Sequence, residues 1–407
     1  MKPESLVHRL VTFLGKPPKG AYEKTIYLSP AEPTRTIETA FVAEALVHFL
    51  KPREVVILAT EEAWTGQGET LQTQFMIHGD PSVRKVTLPA GRDETELWSQ
   101  FEVLKDELRL PADASSNRIA LDITHGYRSV PFFGAGVVTF LKLVDDAPPD
   151  VSIYYGAFEA RQDNRTPIWN LTPFSDLIAW SAHIMLFLKT GRADGLAEAT
   201  EGIGRSLRKE WASTGQKGSK PTLGKLGQVL AQFGGDLETV RTGSLMVNSS
   251  SVKSLHAELD AARATAQSIP PLADVLDRIK SKTKPLLNDA RLSEPTGIQS
   301  LQALARLYFE MGRYAEAAST VREASINQHA CSQSDCPGQQ SFSKEHREAA
   351  EKAWFVANEN RAKEVGQVRN DIEHAGYNSQ PMSPIAIKNK IRTLIDGLHG
   401  ESPPPNA

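Results

Sequence analysis

Apolar and polar positions over the first 170 residues or so alternate between two periodicities, and this predicts an α/β layer of parallel strands flanked by helices. Short apolar runs at residues 25–29, 55–59, 83–88, 118–123, 153–158 and 168–171 read as strands. The aliphatic, β-branched run at 55–59 suits a strand buried on both faces. Between the strands, Ile37, Phe41, Val42, Ala45, Leu46, Phe49 and Leu50 follow a helical period across residues 34–50. Leu97, Phe101, Leu104 and Leu108 fall on one helical stripe. Ser129 and Pro131 are expected as the N-cap and first turn of an apolar helix reaching Val144.

Beyond Pro173 the strand signals stop, and the chain to Leu398 reads as helices separated by polar breaks at 213–221 and 242–251. The expected organisation is a Rossmann-like α/β domain over residues 1–172, a helical linker over 173–292, an all-α domain over 293–400, and a disordered proline-bearing tail over 401–407. Leu307, Tyr308, Tyr314, Ala315 and Ala317 faintly follow a tetratricopeptide pattern, but no second copy follows, so an ordinary helical hairpin is expected.

Charge changes the picture in one respect. The 407 residues hold 46 Lys and Arg against 49 Asp and Glu, a formal net charge of −3, so no broad basic field holds nucleic acid and any such contact is local. Two cysteines are too few for a disulfide framework and fit a reducing compartment. The longest apolar stretch, residues 130–141, is too short to cross a bilayer, and the N-terminus has no signal-peptide pattern. A cytoplasmic chain without a membrane partner is expected.

Two segments carry candidate chemistry. The first is Asp122, Ile123, Thr124, His125, Gly126, Tyr127, Arg128 and Ser129, placed where a strand ends and a helix begins. Ligands of open α/β sheets bind at such strand ends, helix N-terminal amides attract phosphate, and Thr124, His125, Arg128 and Ser129 offer donors. An anionic, nucleotide-like ligand fits; a plain crossover with Ser129 as cap is the structural alternative. The loop bearing Ser29, Thr34 and Thr36 is expected at the same sheet edge as a facing wall, with Thr34 alternatively a helix cap. Its prolines stand where a dinucleotide fingerprint has glycines, which argues against a nicotinamide or flavin enzyme.

The second segment runs from Val368 to Tyr377 near the end of a polar helix. Asn370 and His374 share a helix face, whereas Arg369 and His374 diverge by about 140°. Two such helices facing each other across a two-fold axis bring an Arg and a His from each chain to one phosphodiester. Arg holds phosphate bidentately and His moves protons near neutral pH. The structural alternative is an Arg369–Glu373 surface ion pair with His374 near a helix C-terminus.

Together the two segments resemble the CRISPR-associated CARF-HEPN ribonucleases, accessory effectors of type III CRISPR systems. Asp122 to Ser129 is similar to the CARF ligand motif, and Arg369 to His374 is similar to the HEPN R-x4-H motif with Asn after Arg. The resemblance implies that Arg369, Asn370 and His374 form a metal-independent endoribonuclease site acting on single-stranded RNA. It also implies that Thr124, His125, Gly126, Tyr127, Arg128 and Ser129 surround an activating cyclic oligoadenylate, with a homodimer or larger assembly as the working unit. The rival reading is a non-catalytic nucleotide-sensing regulator or partner-binding protein.

Two further sets of residues need placing. His329, Cys331, Cys336 and His346 match no standard zinc spacing, so free thiols, a redox pair and a zinc site stay open and no metal is assigned. Trp64, Trp98, Trp169, Trp180, Trp211 and Trp354 are expected as core and interface anchors rather than base-stacking platforms.

Overall fold

The computed structural model describes residues 7–16, 21–78, 81–112, 114, 116–126, 129–213, 223, 225–247, 250–266, 270–288, 292, 294–332, 344–377 and 379–398. The chain divides into two compact units, Met1–Ala179 and Trp180–Ala407.

The first unit contains, in chain order, β1 (Arg9–Leu14), β2 (Thr25–Leu28), β3 (Thr36–Thr39), α1 (Val42–Leu50), β4 (Glu54–Ala59), α2 (Glu61–Ile77), β5 (Ser82–Thr87), α3 (Glu94–Glu107), β6 (Arg118–Asp122), α4 (Val130–Val144), β7 (Asp150–Gly156) and β8 (Arg165–Asn170), followed by the start of α5 (Thr172–Thr190). The eight strands form one sheet in the order β3-β2-β8-β7-β6-β1-β4-β5. β5, β4, β1, β6 and β7 run parallel. β8 is antiparallel to β7, β2 is parallel to β8, and β3 is antiparallel to β2, so the sheet is mixed rather than parallel throughout. One face is covered by α1 and α2 through Leu46, Val42, Leu71 and Phe75. The other is covered by α3 and α4 through Leu104, Val137 and Leu141. β1 is the middle of the five parallel strands, and Leu10, Val11 and Phe13 are buried against both layers. Its first residue, Arg9, is buried in an ion pair with Glu54 at 2.6 Å and donates to the Glu107 carbonyl.

Residues 34–50 do not form one helix. Thr36–Thr39 is an edge strand, and α1 begins at Val42 after Phe41. Thr39 ends the strand, its Oγ1 accepting from the Phe41 N–H at 3.1 Å and donating to the buried Glu44. Thr34 is therefore not a helix cap; its hydroxyl turns to Glu32. Ser129 does occupy the N-cap of α4, but its side chain makes no capping bond.

The second unit holds the rest of α5 with α6 (Asp194–Ser213), α7 (Leu226–Glu238), α8 (Thr242–Met246), α9 (Ser251–Ala266), α10 (Pro270–Thr283), α11 (Pro295–Glu310), α12 (Tyr314–Ser332), α13 (Lys344–Ala357), α14 (Glu359–Glu373) and α15 (Pro384–Asp396). No strand occurs here among the described residues. The polar stretch at 242–251, expected as an open loop, carries the short helix α8 with Leu245 and Met246 buried. α11 and α12 close into a hairpin around Leu301, Leu304, Tyr308, Ala317, Val321 and Ala324, the core expected of a single hairpin. Tyr308 is fully buried, and its hydroxyl is satisfied by donating to the Leu237 carbonyl at 3.0 Å. α15 returns against this hairpin, where Gln302 donates to the Ile395 carbonyl at 2.9 Å.

No helix among the described residues is long and apolar enough to cross a membrane.

Candidate functional site

In the first unit, strand order reverses at β1: β4 and β5 lie on one side, β6 and β7 on the other. Such a switch point opens a crevice at the carboxyl ends of the strands. β1 ends there in Gly15 and Lys16, and β6 in Thr124, His125 and Gly126. Asp122 organises this edge. It is fully buried; one carboxylate oxygen accepts from Thr12 Oγ1 at 2.7 Å, and the other from the Thr124 backbone N–H at 3.0 Å and from Thr124 Oγ1 at 2.5 Å. Thr124 Oγ1 also accepts from the Gly156 N–H at 2.9 Å, so one carboxylate ties together the ends of β1, β6 and β7. A buried carboxylate is tolerated because donors saturate it.

His125 is less exposed than its motif position predicts. Its ring packs on Tyr22 at a centroid separation of 4.2 Å, and its Nε2 is buried without a hydrogen-bond partner. Burial of the ring disfavours its charged form and lowers its pKa. Tyr22 in turn donates to the Gly15 carbonyl at 2.6 Å, and burial pushes its phenol up to about 12. A Cβ at Gly15 would collide with the His125 carbonyl oxygen, so the glycine permits the close approach of the two strand ends. Gly126 packs under Val130 at the entry to α4. Two cations at this edge are paired, Lys16 with Glu62 at 2.6 Å and Arg161 with Glu23 at 2.6 Å, with Arg161 also over the Phe158 ring. Tyr127 and Arg128 lie outside the described residues.

The loop with Ser29, Thr34 and Thr36 does not face this crevice. β2 runs antiparallel to β7, so its carboxyl end, and the loop that follows, lie at the opposite edge of the sheet. Ser29 is buried, with its N–H donating to the Arg35 carbonyl at 3.0 Å, and Thr36 pairs with Leu28 in the β2–β3 ladder. The segment before β2 reaches the site instead, delivering Tyr22. Tyr22, Thr12 and Gly15 carry no local sequence signal for this role; strand order alone brings them there.

In the second unit, α14 is held by buried Ala362, Val365, Val368 and Asp371. Arg369 is half-buried and its Nη2 pairs with Glu373 Oε1 at 2.8 Å one turn later. Asn370 and His374 lie exposed at the helix end, where the His374 N–H donates to the Asn370 carbonyl at 2.9 Å. Ala375 and Gly376, with φ of 53° and 71°, then reverse the chain, and the Gly376 N–H returns to the Asp371 carbonyl at 2.8 Å. Asp371 Oδ2 accepts from the Met382 N–H at 3.3 Å and fixes the following loop. Within one chain this is the arrangement of ion pair and helix-terminal His that the sequence offers as its structural alternative, with Arg369 and His374 on diverging faces.

Among the described residues no group of three or more His, Cys, Asp and Glu side chains is placed to hold a metal ion. His329 lies on α12, whereas Cys336 and the side chains of Cys331 and His346 lie outside the described residues. Trp180 and Trp354 are buried as anchors, but Trp98 stands exposed on α3.

No protein-family model matches the chain. Over 104 residues the chain is 27% identical to the CRISPR-associated protein MJ1674 of Methanocaldococcus jannaschii. The match covers 25% of this chain and 16% of that relative, so the aligned stretch spans about a sixth of the relative's length. This similarity supports a CRISPR-associated protein.

Proposed function

We propose that the chain is a CRISPR-associated endoribonuclease of CARF-HEPN type, switched on by a cyclic oligoadenylate. The observation that carries the sensor half is the β1/β6 switch point, where Asp122 fixes Thr124 and the buried His125 Nε2 lacks a partner. A phosphate- and purine-bearing ligand brings the donors and acceptors such a site lacks. Glu62 and Glu23 neutralise Lys16 and Arg161 in the free chain, and an anion entering the crevice competes for both cations.

The nuclease half assigns RNA cleavage to Arg369, Asn370 and His374 from two chains, because the Arg and His of one α14 diverge. A ribose 2′-hydroxyl attacks the adjacent phosphorus, and the bond to the 5′-oxygen breaks. His374 moves the proton, Arg369 stabilises the added charge on phosphate and Asn370 orients the groups. The products are a 2′,3′-cyclic phosphate and a 5′-hydroxyl. None of these roles calls on a divalent ion.

A non-catalytic regulator is the second reading, favoured by the Arg369–Glu373 pair that already occupies the guanidinium. Incubating the purified chain with end-labelled single-stranded RNA and cyclic oligoadenylates of several ring sizes, in EDTA, separates the two. The nuclease reading expects 2′,3′-cyclic phosphate ends. Cleavage that needs Mg²⁺ or Mn²⁺, or no cleavage with any ring, rejects it.

A further inference from the structure

Helices α7, α8 and α9 of the helical unit pack around a cavity of about 510 Å³, a size that suits a small molecule. It belongs to neither motif. Gln228, Gln232 and Asp236 line it at successive four-residue steps, so they form one stripe along α7. The stripe passes from exposed Gln228 and Gln232 to buried Asp236, which is 5% exposed. α9 contributes Ser251 and Ser254 to the lining.

Asp236 is incompletely satisfied. Its Oδ1 accepts from Gln232 Nε2 at 3.1 Å, whereas Oδ2 is buried without a hydrogen-bond partner. Ser251 Oγ, on an equally buried side chain, also lacks one. A buried carboxylate ordinarily has a cation or several donors, as Asp122 has in the α/β unit. Asp236 has one neutral amide, and among the described residues no cation pairs with it. Its position adds to the cost, because it stands in the last turn of α7, where the helix dipole is already negative.

We propose that this cavity binds a small organic cation bearing a primary ammonium group, held by Asp236. The proposal goes beyond the nuclease reading and does not rest on it. Three features select a cation. The first is charge: no Lys, Arg or His lines the cavity, so an anion meets the Asp236 carboxylate with no side chain to offset it. The N-terminus of α9 borders the space, but Ser250 Oγ caps it by accepting from the Lys253 N–H at 3.4 Å. The opposite half-charge at the C-terminus of α7 offsets what remains of its dipole. The second is the supply of acceptors. With Gln232 Nε2 turned to Asp236, Gln232 Oε1 is left as an acceptor beside Asp236 Oδ2 and Ser251 Oγ, and three acceptors match the three N–H groups of an ammonium. The third is the remaining wall, where Val229 and Val247 offer apolar surface to the carbon chain of an amine.

The test titrates the full-length chain with putrescine and with spermidine by calorimetry at constant ionic strength. Tetramethylammonium, which has the charge but no N–H, and adenosine, which has donors but no charge, serve as competitors. The variants are Asp236→Asn, Gln228→Trp, which fills the exposed end of the stripe, and the control Asp274→Asn, an equal loss of charge at an exposed position of α10. The expected result is saturable binding of one amine per chain, at least tenfold weaker in Asp236→Asn and in Gln228→Trp, unchanged in Asp274→Asn and displaced by neither competitor. Urea unfolding checks that each variant is folded; should Asp236→Asn not fold, Gln228→Trp decides alone, since it removes no charge. Failure of both amines to saturate, undiminished binding by a folded Asp236→Asn or Gln228→Trp chain, equal weakening by Asp274→Asn, or displacement by either competitor overturns the proposal. These readouts involve neither RNA nor cyclic oligoadenylate, so their failure leaves the nuclease reading where it stands.

Discussion

His374 is exposed on the last turn of α14 and bonds only through its backbone among the contacts of that turn, so removing its imidazole costs the fold little. His374→Ala is expected to change unfolding free energy by no more than about 0.5 kcal/mol while abolishing RNA cleavage. A folded variant that still cleaves at the wild-type rate removes His374 from the site. Three partly or fully buried histidines behave differently. Burial lowers the pKa of His125 and His256, and burial together with His78 lowers that of His48. Each stays neutral in the folded chain at pH values where the unfolded chain has begun to bind a proton. The unfolded state therefore holds more protons as pH falls through about 6.5, and stability present above that pH is lost below it, by at most about 1.4 kcal/mol per pH unit per group. Urea midpoints are expected to drop between pH 7.5 and 5.5, and to drop less in His125→Gln; a flat or rising wild-type midpoint contradicts this. At this scale the residue types of both motifs were legible, because their spacing is local. The burial of His125 under Tyr22 was not, because Tyr22 arrives from a segment about a hundred residues away in sequence.

Elements were legible where one periodicity dominated. β4, β6 and α4 announce themselves as apolar runs, and α3 as a stripe. α2 escapes notice because only Ala63, Gly68, Leu71 and Phe75 of its 17 residues are buried, too sparse a stripe to mark a helix. β3 was concealed because Ile37 and Phe41 happen to fit a helical spacing, although an edge strand and a cap residue hold them. The position of the loop carrying Ser29, Thr34 and Thr36 depends on β2 running against β7, a long-range pairing that no local pattern encodes. β1 shows what such pairing contributes. Among the described residues, Thr12 on that strand is the one hydrogen-bond donor to one oxygen of the fully buried Asp122. Thr12→Val keeps the shape but removes that donor, and is expected to destabilise the chain by about 1–3 kcal/mol. Denaturant unfolding measures it, and an unchanged midpoint at unchanged slope would show that Asp122 is satisfied in another way.

Across the whole molecule, the strands end with β8 and the chain divides after Ala179 into an α/β unit and a helical unit. The proposed ligand site at Thr124 to Gly126 and the α14 motif lie in different units, so the proposed function requires ligand binding to change an equilibrium that the nuclease feels. A hundredfold activation needs about 2.7 kcal/mol of preference for the active state, within reach of a few charge-assisted hydrogen bonds. The most direct measurement is the rate of RNA cleavage against cyclic oligoadenylate concentration for the wild type and Arg128→Ala. The account predicts negligible cleavage without ligand, a saturable rise with it, and for Arg128→Ala a curve displaced to higher ligand concentration that reaches the same end chemistry at saturation. Coincident curves, or full cleavage by both chains without ligand, would contradict it.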